Sequence, residues 1–378
     1  MWKKIVHLIE SELDSVKYGI ERLAGSSVPL RIQTYLGYGD ANSLRVSGRV
    51  LRQRNLPEAG ASDSEWRNFL NMTRNWFTDE VPHARLEARF RDVVVSGEAD
   101  QEGYFSIEVP TGIESVSAAM WEDVELTLLD PVGEDPVTAR AVVQLPSPGS
   151  EFGIISDIDD TVIHTGATDL FEMAKNTLLG NAHTRVVFNG VSALYAALAR
   201  GIDGRGRNPF FYITSSPWNV YGLLTGIFEL RSIPRGPLFM TDWGIDDEKF
   251  LMSGHHSHKK GAIRRVLNFY PELQFILIGD SGQQDPEIYT DILDEFPGRI
   301  LAVYIRDVTE THRDADVEKL AEKADEVGVD LILTEESNAI AVHAVAKGWI
   351  RECELPAIAG QAQADRAEAI ADGADPLS

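Results

Sequence analysis

A chain of 378 residues with 43% hydrophobic and 25% charged side chains has the balance of a folded globular protein and room for two or three domains. Its net charge of −24 repels polyanions, which argues against a nucleic-acid partner and limits contact with anionic membranes to the periphery. The single cysteine, Cys353, excludes an internal disulfide, so the fold has no need of an oxidising compartment and a cytoplasmic location is expected.

Trp2, Ile5, Leu8, Ile9, Leu13, Val16, Ile20 and Leu23 recur at three- and four-residue spacing, and Gly25 follows, which predicts an amphipathic helix over residues 1–26. Its polar face mixes Lys3, Lys4 and Lys17 with Glu10, Glu12 and Asp14, unlike the basic face of a membrane-surface helix, and the same acids interrupt any signal-peptide core. No apolar window reaches transmembrane length. Over residues 27–145 the texture changes to short alternating runs, among them Leu44-Arg-Val-Ser-Gly-Arg-Val-Leu51 and Tyr104-Phe-Ser-Ile-Glu-Val109. Alternation buries one face of a strand and wets the other, so this part reads as a small β-sandwich-like accessory domain, with a helix at residues 65–77. Leu145-Pro-Ser-Pro-Gly-Ser150 has linker composition and opens a second domain, residues 146–350.

The run Gly153-Ile-Ile-Ser-Asp157-Ile-Asp159-Asp160-Thr161 ends an apolar strand in alternating carboxylates. Where a strand ends the chain can curl, so that Asp157 and Asp159 face one pocket, and a carboxylate pair there invites a divalent cation. Held ionised, Asp157 can attack phosphorus while Asp159 gives a proton to the leaving oxygen and later takes one from water. Thr161 offers a hydroxyl and begins a turn whose N–H groups can hold phosphate oxygens. An acidic turn closing a strand is the plainer reading of the same residues.

Two more apolar runs end in polar groups: Phe210-Phe-Tyr-Ile-Thr214-Ser215-Ser216-Pro217, and Gln274-Phe-Ile-Leu-Ile-Gly279-Asp280-Ser281-Gly282. Between them lie His255-His256-Ser257-His258-Lys259-Lys260-Gly261 and a helical stretch at residues 262–269. The three histidines suggest zinc, yet an oxygen-rich carboxylate site suits Mg²⁺ and needs no imidazole. Trp218 either lines a substrate entrance or packs as a buried aromatic. Continuous apolar strands alternating with helices predict an α/β fold with a doubly wound parallel sheet, whose ligands sit beyond the strands' carboxyl ends. The span at residues 171–189 is short for a cap domain, leaving an open site. From residue 357 the chain turns to Ala, Asp, Glu and Gly, so residues 351–378 read as a disordered acidic tail.

Four motifs in order, DIDDTVIHTG, YITSSPWN, HHSHKKGAI and FILIGDSGQQDPEIY, resemble the haloacid dehalogenase superfamily of phosphohydrolases. Within it, residues 150–310 are similar to the catalytic domain family of fungal actin-patch phosphatidate phosphatases and their bacterial relatives. The resemblance implies Asp157 as nucleophile, Asp159 as acid/base and Lys259 as the charge-neutralising lysine. Thr161, Thr214 and Ser215 would be substrate-binding, and Mg²⁺ would sit on Asp157, the backbone carbonyl of Asp159, Asp280 and Asp285. Lys259 rather than Lys260 follows the family pattern, although the adjacent lysine leaves the choice open. The implied function is a Mg²⁺-dependent phosphomonoesterase working through an aspartyl-phosphate, acting on a lipid phosphate such as phosphatidate. The alternatives are a phosphatase for a soluble small molecule or phosphoprotein, or a binding or scaffold module that retains the fold. Oligomeric state is not readable.

Overall fold

The computed structural model describes residues 29–52, 79–112, 120–132, 135–163, 187–241, 247–308 and 314–371. Within them the chain is α/β, with a mixed sheet from its first half and a parallel sheet from its second. The predicted helices at residues 1–26 and 65–77, and most of the span at 171–189, lie outside the described residues.

The first half supplies β1 (Leu30–Thr34), β2 (Gly37–Gly39), β3 (Ser43–Arg52), β4 (Asp79–Glu80), β5 (Arg85–Phe90), β6 (Val93–Glu98), β7 (Tyr104–Pro110), β8 (Trp121–Asp130) and β9 (Thr138–Gln144). Strand alternation sends Phe105, Ile107 and Val109 of β7 and Val124, Leu126 and Leu128 of β8 into one buried cluster. The expected sandwich is corrected in one respect: the strands join a single nine-stranded hydrogen-bonded sheet rather than two. The cause is the ten-residue β3, which pairs with β1, β2, β4 and β7 and so joins them in one sheet. At the far end of the path β6 lies against β7, where a Cβ on Gly97 would meet Ile107 Cγ1 at 2.5 Å; only glycine allows this approach.

The second half forms β10 (Gly153–Asp157), β11 (Phe210–Pro217), β12 (Leu238–Thr241), β13 (Phe275–Asp280), β14 (Ile300–Arg306) and β15 (Asp330–Thr334). They run parallel in the order β12-β11-β10-β13-β14-β15, with β10 central. The connections carry α1 (Val191–Arg200), α2 (Tyr221–Leu230), α3 (Asp247–Phe269), α4 (Asp285–Glu295) and α5 (Asp314–Glu326); α6 (Ser337–Ala346) and α7 (Leu355–Ala371) follow β15. Successive strand residues serve different cores: Ile154, Phe210, Tyr212 and Ile276 meet α1, α2, α6 and α7, whereas Ile155, Phe211, Ile213 and Leu277 meet α3, α4 and α5. Both faces are therefore dry, which is why these strands read as unbroken apolar runs.

Two aromatic residues of the β-rich half grip the parallel sheet at its β12 edge. Tyr35 joins the core of one face, stacked on Trp218 at 4.2 Å, and Tyr38 joins the other, 5.6 Å from Phe239 and 5.0 Å from Phe269. The Leu36 N–H donates to Tyr221 Oη at 2.9 Å and Tyr270 Oη donates to the Gly39 carbonyl at 3.1 Å, so the polar ends are satisfied too. Trp218 is thus a packing residue between the two sheets.

The C-terminal segment corrects the expected disordered tail. Residues 355–371 form α7, with Ile358 and Ala362 buried, Glu354 paired with Arg200, and the Gly190 N–H bound to Asp365 Oδ2 at 2.8 Å. Alanine-rich composition buries little area, but alanine is the strongest helix former, and two apolar positions one turn apart suffice to dock a short face.

Candidate active site

Asp157, Thr214 and Asp280 lie at the carboxyl ends of three adjacent strands, β10, β11 and β13, where an open parallel sheet leaves a crevice. The turn after β10 is built around the Ile158 carbonyl, which accepts the N–H groups of Thr161, Val162 and Ile163. Asp160 holds φ at 57°, the left-handed region that aspartate tolerates, and reverses the chain there. Those three N–H groups share the one carbonyl, and the Thr161 hydroxyl donates to Asp157 Oδ2 at 3.3 Å.

Thr214 donates to Asp159 Oδ2 at 2.5 Å and accepts the Ser216 N–H at 2.9 Å. It caps no helix; its hydroxyl orients the Asp159 carboxyl. The Ser215 N–H also serves Asp159, while Ser215 Oγ is buried with no partner among the described residues.

Lys259 is 3% exposed in α3 and its Nζ lies 2.5 Å from Asp157 Oδ1 and 2.9 Å from Asp285 Oδ1. Lys260, one residue on, turns outward to Asp291 at 2.6 Å and Glu295 at 2.8 Å. Helical geometry rotates neighbours by roughly 100°, so only one of the pair can face the crevice. His258 is half-buried, and the side chains of His255 and His256 lie outside the described residues.

Asp285 opens α4 and its Oδ2 accepts the Asp280 N–H at 3.1 Å. Asp280 Oδ1 accepts the N–H groups of Gly282 and Gln283, whereas Asp280 Oδ2 is buried with no partner among the described residues. Oxygens of Asp157, Asp280 and Asp285 lie within 4.8 Å of one another. Burial, and then the neighbouring Asp285 charge, pushes the Asp280 carboxyl up to about 8. Burial likewise raises Asp157 well above the carboxylate range against the pull of Lys259, and raises Asp159 against its bond from Thr214. Burial works against the Lys259 ammonium, but Asp157 and Asp285 outweigh it and hold its pKa above the usual lysine range. Three buried carboxylates against one ammonium, with an orphaned oxygen among all-oxygen donors, fit a hard divalent cation.

Two residues at the site escaped the sequence reading. Gln283 bridges Lys259 and the Asp159 carbonyl, and nothing in its string distinguishes it from a loop residue. Arg306, buried at the end of β14, donates to the Thr161 carbonyl at 3.1 Å and the Glu335 carbonyl at 2.9 Å, with its guanidinium over Phe188. A lone charge ending the apolar run Ile300-Leu-Ala-Val-Tyr-Ile305 was the available signal.

Residues 152–307 match the family of the phosphatidate phosphatase APP1 catalytic domain. The chain is 34% identical over 186 residues to phosphatidate phosphatase APP1 of Saccharomyces cerevisiae, covering 48% of this chain and 30% of that protein. It is 26% identical over 211 residues to a Schizosaccharomyces pombe protein, Uncharacterized protein C29B5.04c, covering 55% of this chain and 33% of the relative. The chain thus spans about a third of the length of these curated relatives. Among solved structures, a Parabacteroides merdae β-glucuronidase aligns over 80% of this chain and 39% of its own at 9% identity, with a TM-score of 0.25 that carries no fold assignment.

Proposed function

We propose that this chain is a Mg²⁺-dependent phosphoric monoester hydrolase with a haloacid dehalogenase-like catalytic domain, acting on phosphatidate to release diacylglycerol and phosphate. The family match and the 34% identity support a phosphoric monoester hydrolase of the phosphatidate phosphatase kind. The observation that carries the site assignment is the position of Lys259 between Asp157 and Asp285 at the strand ends, beside the orphaned Asp280 oxygen.

In this reading Asp157 is the nucleophile and forms an aspartyl-phosphate, its carboxylate aimed by Thr161 and Lys259. Asp159, oriented by Thr214 and the Ser215 N–H, protonates the departing alkoxide and then takes a proton from water. Its raised pKa suits it to hold that proton until transfer. Asp157, Asp280 and Asp285, with the backbone carbonyl of Asp159, would hold Mg²⁺, which would neutralise charge on the phosphoryl oxygens. Lys259 adds the compact positive charge that phosphoryl transfer asks of a protein.

Net charge of −24 favours a second reading in which the same chemistry serves a soluble phosphate ester. Phosphate release with Mg²⁺ from phosphatidate in mixed micelles and from a soluble aryl phosphate, in wild type and Asp157→Asn, separates them. Preference for phosphatidate that vanishes in the variant supports the lipid assignment. Better turnover of the soluble ester moves the substrate, and turnover that survives Asp157→Asn refutes the nucleophile.

A further inference from the structure

The Lys259 ammonium has three N–H donors, and three oxygens lie around Nζ: Asp157 Oδ1 at 2.5 Å, Asp285 Oδ1 at 2.9 Å and Gln283 Oε1 at 3.1 Å. Gln283 and Asp285 accept hydrogen bonds from the ammonium and Asp157 Oδ1 meets it as an ion-pair contact, so the three oxygens crowd Nζ and a phosphoryl oxygen enters most readily in place of one of them. Two are carboxylates bound through opposite charge. The third is an uncharged amide, the farthest away and the least costly to release.

Gln283 is anchored independently of the lysine. Its Nε2 donates to the Asp159 carbonyl at 3.1 Å, and its backbone N–H donates to Asp280 Oδ1 at 2.8 Å. Lysine only donates and a carbonyl only accepts, so the side chain between them must offer one acceptor and one donor. A carboxamide satisfies both; a carboxylate does not. Gln283 is half-buried on the loop before α4.

We infer that Gln283 is a positioning residue that keeps the place of a phosphoryl oxygen on Lys259. Its Oε1 holds the ammonium aimed between Asp157 and Asp285 until substrate arrives, then yields that N–H to the anionic oxygen, while Nε2 stays on the Asp159 carbonyl. The exchange substitutes one hydrogen-bond acceptor for another and transfers no proton. This inference rests on the phosphatase reading above and deepens it: the site carries its own neutral surrogate for the substrate oxygen.

The test is calorimetric binding of inorganic phosphate, with Mg²⁺ present, to wild type, Gln283→Met, Gln283→Ala, Gln283→Glu and Lys259→Met, together with kcat and KM on a soluble aryl phosphate. The two acceptor-free variants should bind phosphate as tightly as wild type or up to about tenfold more tightly, because no acceptor has to be displaced. Their kcat should fall about tenfold through loss of the donor on Asp159, a split that general destabilisation does not produce. Gln283→Glu should bind phosphate at least about tenfold more weakly, since a charged acceptor does not yield. If the acceptor-free variants lose phosphate affinity as Lys259→Met does, Gln283 is itself a ligand or a structural strut, and the inference is overturned while the phosphatase reading stands. If wild type binds no phosphate, both fall. Having two acceptor-free variants keeps the test intact should one of them misfold.

Discussion

Lys259 and Lys260 are adjacent on one helix yet serve different acids: the first is buried against Asp157, the second reaches Asp291 and Glu295 on α4. Lys259→Met should reduce turnover by at least about a thousandfold, the scale of a removed transition-state charge. Lys260→Met should keep turnover and cost at most about 1 kcal/mol, as partly exposed ion pairs do. Steady-state kinetics beside thermal melts of both variants decide the matter; loss of turnover in Lys260→Met alone would reverse the assignment.

On the proposed assignment Mg²⁺ would bind the folded site and have no comparable site in the unfolded chain, so it should raise the wild-type melting temperature in proportion to the logarithm of its concentration. Asp280→Asn, which removes a charge from the buried trio, should abolish that rise without lowering the metal-free melting temperature. Differential scanning fluorimetry across a Mg²⁺ series, after chelation, reads this without any assay of activity. An undiminished rise in Asp280→Asn removes that residue from the cation site.

The stack of Tyr35 on Trp218 ties the β-rich half to the turn that directly follows β11, the strand that carries Thr214 and Ser215. Tyr35→Ala should cost about 3 kcal/mol, the usual scale for a buried aromatic cut to alanine. The wild type should melt in a single transition because the two cores share this seam. A second, separate transition in wild-type calorimetry would show that the halves unfold independently.

Glu295 is held down at about 2, from an ordinary 4.5, chiefly by its bonds from Arg264, with Lys260 assisting against burial. A depressed carboxyl stabilises the fold above its unfolded pKa, and that contribution drains away as pH falls through the folded value. Between about pH 4.5 and 2 the wild type should therefore lose stability more steeply than Glu295→Gln. Urea midpoints across pH 3 to 5 measure the slope, and parallel curves would dismiss the effect.

Ending the chain after Ile350 removes α7, the Glu354 pair with Arg200 and the Asp365 cap on Gly190. Uncovering Ile358 and Ala362 together with the α1 surface beneath them should destabilise the protein by about 3 kcal/mol or more. A truncated protein with an unchanged melting temperature would show that docking of this segment contributes nothing to stability.

Much of the candidate site was legible because strand ends are a local signal. Asp157, Thr214 and Asp280 each close an apolar run, and an acid or hydroxyl at such a place stands out in one dimension. Gln283 and Arg306 did not stand out as site residues, because their importance lies in partners 124 and 145 residues away. The single β-rich sheet was equally hidden, since alternation tells which residues face inward but not that one long strand pairs with four others.

The sequence by itself determined the parallel strands and their carboxylates, because burial on both faces writes continuous apolar runs and a polar strand end interrupts them. It also determined which residues of the β-rich strands turn inward, since that depends only on a period of two. Only the tertiary structure decided that Lys259 and not Lys260 enters the crevice, that Trp218 packs on Tyr35, and that the alanine-rich end is a docked helix. Each of those outcomes depends on what lies opposite in space. A rotation of roughly 100° per helical residue, or a neighbouring surface with room for two small side chains, leaves no mark on the residues themselves.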